Sequence, residues 1–180
     1  FNLRDQLLDR QRTPGCVSRG RVDRQVNRVA RSAATVAGRT NAKLAFRTYF
    51  QFTTTPGATC NILQARHASG GMAAVGMRTD GKLQVTDSAG AYIYTFASAL
   101  STSTTYRLEL FVEKGTTTSD GKISFAYYLG DNTSPVETAS VATTVNTTTN
   151  DITSMRWGKL TGISFTQAFW FDDAAVEYGR

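Results

Sequence analysis

The chain has 180 residues, enough for one domain with a sizeable core, and a second full domain would be crowded. Aromatics make up 11% and charged residues only 19% of it, a balance that suits pleated, half-buried strands. The net charge of +6 is uneven: residues 1–40 hold nine Arg against three Asp, and the remaining 140 are neutral, which argues against a phosphate-reading surface on the main body.

Residues 1–40 form a basic N-terminal extension, irregular or short-helical, distinct from a β-rich domain over 41–180. A short amphipathic helix over 1–10 is broken by Thr13-Pro14-Gly15. Arg21, Arg24, Arg28 and Arg31 then recur at three- and four-residue steps, which keeps them on one face if the segment is helical. The leading expectation is a solvated or partner-docking arm. The alternatives are a nucleic-acid-contacting arm and a stretch translated in a shifted reading frame of a GC-rich gene. The chain begins with Phe1 and has no signal-peptide core, so a processed or incomplete N-terminus is expected. No stretch is long and apolar enough to span a bilayer as a helix.

From Asn41 the pattern is period two. Leu44, Phe46, Thr48, Phe50 and Phe52 share one face of a strand, with Arg47 and Gln51 on the other. Strands follow at 59–66, 72–78 and 82–86, the last two joined by a tight Thr79-Asp80-Gly81 hairpin. Further strands are expected at 91–96, 106–113, 122–129, 136–145 (edge-like and Thr-rich), within 151–160, and at 167–177. About ten short strands with turn signals every eight to twelve residues predict a sandwich or barrel.

The chemistry-bearing residues are sparse. Cys16 and Cys60 are too few for a disulfide framework; two free, partly buried thiols are expected, with a Cys16–Cys60 bridge as the alternative. His67 is the only histidine and adjoins Gly70-Gly71, which lacks the following helix of a phosphate loop. Glu109 and Glu113 share a strand face without a central Asp, so a solvated outer face is expected and not a glycosidase pair. Lyase chemistry by a Tyr or His with an Arg would fall on Tyr92, Tyr94, His67 and Arg66. Tyr92, Tyr94, Tyr127, Tyr128 and Trp157 are the candidates for stacking on sugars. Asp172 and Asp173, being consecutive, should point to opposite faces, with Asp172 in register with Trp170 and Ala174 and able to take a calcium ion or a hydrogen-bonding partner.

The order of features resembles the concanavalin A-like lectin/glucanase superfamily, which includes laminin-G-like domains. The likeness runs from about Ala42 to Gly179. It rests on Phe46-Arg47-Thr48-Tyr49-Phe50-Gln51-Phe52, on the Arg78–Leu83 hairpin with Thr104–Leu110, and on the closing Phe169-Trp170-Phe171-Asp172-Asp173-Ala174-Ala175-Val176. The resemblance implies an all-β, two-sheet antiparallel jelly-roll sandwich. It further implies a non-catalytic structural or adhesion domain, a bacteriophage virion component (head decoration, minor tail or fibre protein) that docks on other subunits or on copies of itself. On that reading the domain is virion-borne or extracellular, contacts neither membrane nor nucleic acid, and takes cell-surface glycans through Tyr92, Tyr94, Trp157, Arg66 and His67. It needs no cofactor beyond a structural calcium on Asp172. The alternatives are a secreted carbohydrate-binding module and a polysaccharide-cleaving enzyme of the same fold.

Overall fold

A computed structural model of the chain describes residues 32–35, 41–141, 144–160 and 168–179. The expected docking arginines Arg21, Arg24, Arg28 and Arg31, the expected N-terminal helix and Cys16 lie outside the described residues. The described residues hold strands and loops and no helix. The strands are β1 Ser32–Thr35, β2 Lys43–Phe52, β3 Cys60–Arg66, β4 Gly71–Met77, β5 Lys82–Asp87, β6 Tyr92–Ala99, β7 Tyr106–Glu113, β8 Lys122–Leu129, β9 Glu137–Val141, β10 Ser154–Trp157 and β11 Phe169–Gly179. They form two antiparallel sheets, one ordered β1-β10-β3-β4-β5-β6 and the other β11-β2-β7-β8-β9. The two-sheet sandwich is as the alternation predicts, and the long-range order is that of a jelly roll.

The period-two pattern dictates which side chains meet between the sheets. In β2 the buried positions are Leu44, Phe46, Thr48, Phe50 and Phe52, and their neighbours are only partly covered. Register carries this set onto β7, with Leu44 opposite Val112, Phe46 opposite Leu110 and Phe50 opposite Tyr106. The facing sheet supplies Leu63, Ala65, Val75, Met77, Leu83, Val85 and Phe96, all buried. Phe46 meets Trp157 across the interior at 5.4 Å between ring centres, and Phe96 meets Phe125 at 5.4 Å and Tyr127 at 5.6 Å. Tilted and edge-on pairs of this kind add about 0.5–1.5 kcal/mol each beyond burial.

Two turns illustrate how local chemistry sets the register. Gly81 takes a φ of 79°, which a side chain would strain, and the Asp80 carboxylate accepts from the Lys82 N–H at 3.2 Å. Asp87 closes the β5–β6 turn by accepting from the Ala89 and Ala91 N–H groups at 2.9 and 3.0 Å. A third device joins the two sheets at one edge. The Glu137 carboxylate, on β9, accepts from the Ala97 N–H at 2.9 Å and from the Tyr94 hydroxyl at 3.3 Å, both on β6.

Two expectations change. The segment 1–40 is not separate from the sandwich throughout, because β1 pairs along β10, with Ala34 opposite Met155. The strand within 151–160 is consequently interior to its sheet, flanked by β1 and β3. The closing strand does not alternate smoothly: a bulge between Asp172 and Ala175 places Asp173 at a φ of 47° and leaves both aspartates exposed.

Candidate functional site

Each sheet has one face turned away from the core, and the two differ in chemistry. On the five-stranded sheet, the outward polar and aromatic residues of β2, β7 and β8 include Lys43, Arg47, Tyr49, Arg107, Glu109, Glu113, Lys122 and Tyr128. Arg107 Nε donates to Glu109 Oε1 at 2.9 Å, and its guanidinium lies 4.1 Å from the centre of the Tyr128 ring. Both partners are less than a tenth exposed, so Glu109 is a buried ion-pair member and not the solvated carboxylate expected. Burial, followed by the Glu109 charge, raises the Tyr128 hydroxyl above its ordinary pKa. Glu113 pairs with both Lys43 and Lys122, at 3.7 and 3.3 Å, and Arg47 pairs with Asp173 at 3.4 Å. The Tyr49 hydroxyl donates to Asp131. On this face the described charges close on one another.

The outward face of the six-stranded sheet is built differently. Alternation along β3 turns Gln64 and Arg66 away from the core, while Leu63 and Ala65 enter it. Pairing with β10 sets Arg156 directly opposite Gln64, and pairing with β4 sets Ala74 on the other side. Continuing across the sheet, Ala74 faces Thr86 and Thr86 faces Tyr92, the aromatic at the edge strand, which is 70% exposed. Arg66 Nη1 donates to Gln64 Oε1 at 3.0 Å. Burial lowers the Arg66 pKa below its ordinary value, and the nearby Arg156 charge lowers it further. The ion pairs among the described residues include neither Arg66 nor Arg156. Two guanidinium groups and an amide therefore converge with no carboxylate among the described residues paired to them.

A second row lies two residues along β4. A classic-length bulge at Ile62 turns Asn61 outward, opposite Gly76, and Gly76 faces Gln84, which faces Thr95. The floor between the two rows is small, consisting of Ala74 and Gly76. At the end of β3 the chain turns back through residues 67–70, with the His67 N–H bonded to the Gly70 carbonyl at 3.1 Å. The His67 ring lies over Gly70, and its Nδ1 is 3.4 Å from the Ser69 N–H and 3.3 Å from the Ser69 hydroxyl.

The residues expected from the sequence thus divide. Arg66 belongs to the positive cluster and His67 adjoins it. Tyr92 is at the far edge of the same face, about 14 Å from Gln64 at three strand spacings. Tyr94 turns inward to Phe96, at 4.8 Å between ring centres, and to Glu137. Trp157 cannot stack on a sugar, because it is a core residue against Phe46; the same alternation that exposes Arg156 buries its neighbour. Asp172 accepts from the Asp173 N–H at 2.9 Å, and no three His, Cys, Asp or Glu side chains converge as metal donors among the described residues. Gln64 and Arg156 were not singled out from the sequence. The signal for Gln64 was its place two residues before Arg66, whereas Arg156 needed the β3–β10 pairing. Cys60 is a free, buried thiol, pushed up to about 11 by burial.

No family model matches the chain, and no curated protein matches it in sequence. Solved structures do resemble it. A variant of alginate lyase Aly36B in complex with an alginate trisaccharide superposes with a TM-score of 0.58 at 13% identity, over 83% of this chain and 75% of that one. The PL-14 alginate lyase from Aplysia kurodai gives 0.59 at 10% identity, over 78% and 71%. A Trypanosoma rangeli sialidase gives 0.51 at 12% identity over 76% of this chain but 20% of its own. At such identities the likeness establishes the fold, a concanavalin A-like jelly-roll sandwich. It also overturns the expectation of a non-catalytic virion component: these neighbours are polysaccharide-cleaving lyases and a sialidase, none a decoration, tail or fibre protein. The fold is thereby found in enzymes, against the expectation of a non-enzymatic domain.

Proposed function

We propose that this chain binds an acidic polysaccharide on the outer face of its six-stranded sheet and cleaves it by β-elimination. The observation that carries the reading is the Arg66–Gln64–Arg156 cluster, with two guanidinium groups side by side and no carboxylate paired with either among the described residues. A planar guanidinium matches a carboxylate in geometry and charge, so a uronate carboxylate is the ligand that relieves this repulsion. The body of the chain is neutral, so the attraction is local to this face and not a property of the whole surface. The alginate lyases among the structural neighbours act on a polymer of that class, and they support the polysaccharide part of the reading.

The chemistry follows from the charges. In β-elimination a base removes the proton on the carbon bearing the carboxylate. The electron pair forms the new double bond, the glycosidic carbon–oxygen bond breaks, and the departing oxygen takes up a proton. Negative charge accumulates on the carboxylate during proton removal, where Arg66 and Arg156 stabilise it and the Gln64 amide donates a hydrogen bond. His67, the residue after Arg66, is assigned the proton-transfer role. No oxidant or co-reactant enters the balance.

The test is incubation with alginate, polygalacturonate and a neutral glucan, with the unsaturated product followed by its ultraviolet absorbance. The expected result is product from a polyuronate and none from the glucan, with turnover abolished in His67→Gln and binding lost in Arg156→Ala. Binding without cleavage is the second reading. It is favoured by the turn that engages His67 Nδ1 with the Ser69 N–H and hydroxyl. Affinity for a polyuronate with no product would establish it, and absence of both would overturn the assignment of this face.

A further inference from the structure

Gly70 and Gly71 stand side by side without the helix of a phosphate loop, and the proposed chemistry leaves them without a role. Glycine costs stability through the freedom its unfolded chain gives up, so its use at a strand end needs a reason. At Gly81 and Gly90 the reason is a φ of 79°, but neither Gly70 nor Gly71 takes a positive φ. Space is the reason at both. A Cβ on Gly70 would stand 2.8 Å from His67 Nε2 and 3.2 Å from His67 Cε1. A Cβ on Gly71 would stand 2.8 Å from Gln64 Nε2. Ordinary contact begins near 3.4 Å, so each side chain would have to move by about half an ångström.

We infer that Gly70 and Gly71 are positioning residues of this face, Gly70 seating the His67 imidazole and Gly71 the Gln64 amide. This rests on the proposed polyuronate reading and adds to it how the side chains are set. The ring is held on two sides: Nδ1 meets the Ser69 N–H at 3.4 Å and the Ser69 hydroxyl at 3.3 Å, and Nε2 lies against Gly70. The amide is held likewise. Gln64 Oε1 accepts from Arg66 Nη1 at 3.0 Å, and Nε2 lies against Gly71, the residue opposite Arg66 in the β3–β4 pairing. Moving the amide therefore disturbs the guanidinium that it bonds. In both cases the atom in the way ends a rotatable side chain, so the side chain yields to an alanine and the backbone does not. A binding or catalytic geometry tolerates about 0.5 Å, so the displacement is felt in function before it is felt in stability.

Turnover of alginate and polygalacturonate, and calorimetric affinity for them, test this on the full chain and three variants. Gly70→Ala should lower turnover about tenfold and leave affinity within about twofold, whereas Gly71→Ala should weaken affinity about tenfold. Gly57→Ala, whose Cβ meets nothing within 4 Å, should change neither. The seat is also read without substrate. His67 is the chain's only histidine, and its ring protons should lose their nuclear Overhauser contacts to Ser69 in Gly70→Ala and keep them in Gly71→Ala. Contacts retained in Gly70→Ala, or a Gly71→Ala protein that binds as Gly57→Ala does, would overturn the positioning role. If the contacts are lost as expected but the wild type neither binds nor cleaves either polymer, the seat stands and the failure belongs to the polyuronate reading.

Discussion

The two outward faces of this sandwich use similar residues to opposite ends. On the five-stranded sheet, Arg107 lies against Glu109, Lys43 and Lys122 share Glu113, and Arg47 reaches Asp173. On the six-stranded sheet, Arg66 and Arg156 lie near each other and the Gln64 amide and pair with no carboxylate among the described residues. A positive charge whose partner is built into the protein contributes to the fold. One left without a partner costs stability, and that cost is the ground on which this face is proposed to take a ligand. The difference separates structure from function where residue type does not.

The sharpest way to break this comparison is to unpair the first face. Arg107→Ala should leave the Glu109 carboxylate buried and uncompensated, lowering stability by about 3 kcal/mol in denaturant unfolding. A loss below about 1 kcal/mol would mean the pair is not structural. The core offers a second probe through pH. Cys60 has its pKa raised to about 11 from an ordinary value near 9, so the folded state holds the proton more tightly than the unfolded chain does. Stability should be full below pH 9 and fall by about 2 kcal/mol as the pH rises to 11, and Cys60→Ala should remove that decline. On the second face, Arg156→Ala should leave unfolding midpoints within about 0.5 kcal/mol of the wild type, while polyuronate affinity drops about tenfold or more. An equal loss of stability there would make both faces structural. The smallest effect belongs to Lys122→Ala: its ion pair with Glu113 is half exposed, so the change should be about 0.5 kcal/mol or less and should shrink further in high salt.

Much of the fold was legible because alternation is a local property. The run from Leu44 to Phe52 states its own inner face, and Asp80-Gly81 states its own turn. Trp157 was misread as a sugar platform because β10 is only four residues long, too short a run for alternation to show which side its tryptophan takes. The aspartates 172 and 173 were misread because a bulge inserts residues that break a two-residue count, and nothing in the side chains announces it.

The site was half legible for a related reason. Gln64 and Arg66 are two apart in one strand, so their common face follows from the sequence. Their partner Arg156 lies some ninety residues away and reaches them only through the β3–β10 pairing. The amino-acid order by itself determined the strands, their inward faces and the neutrality of the body, since these depend on neighbours in the chain. Tertiary structure alone decided which cations are balanced and which are not, because charge compensation depends on distance in space, and sheet order brings residues together regardless of their separation in sequence.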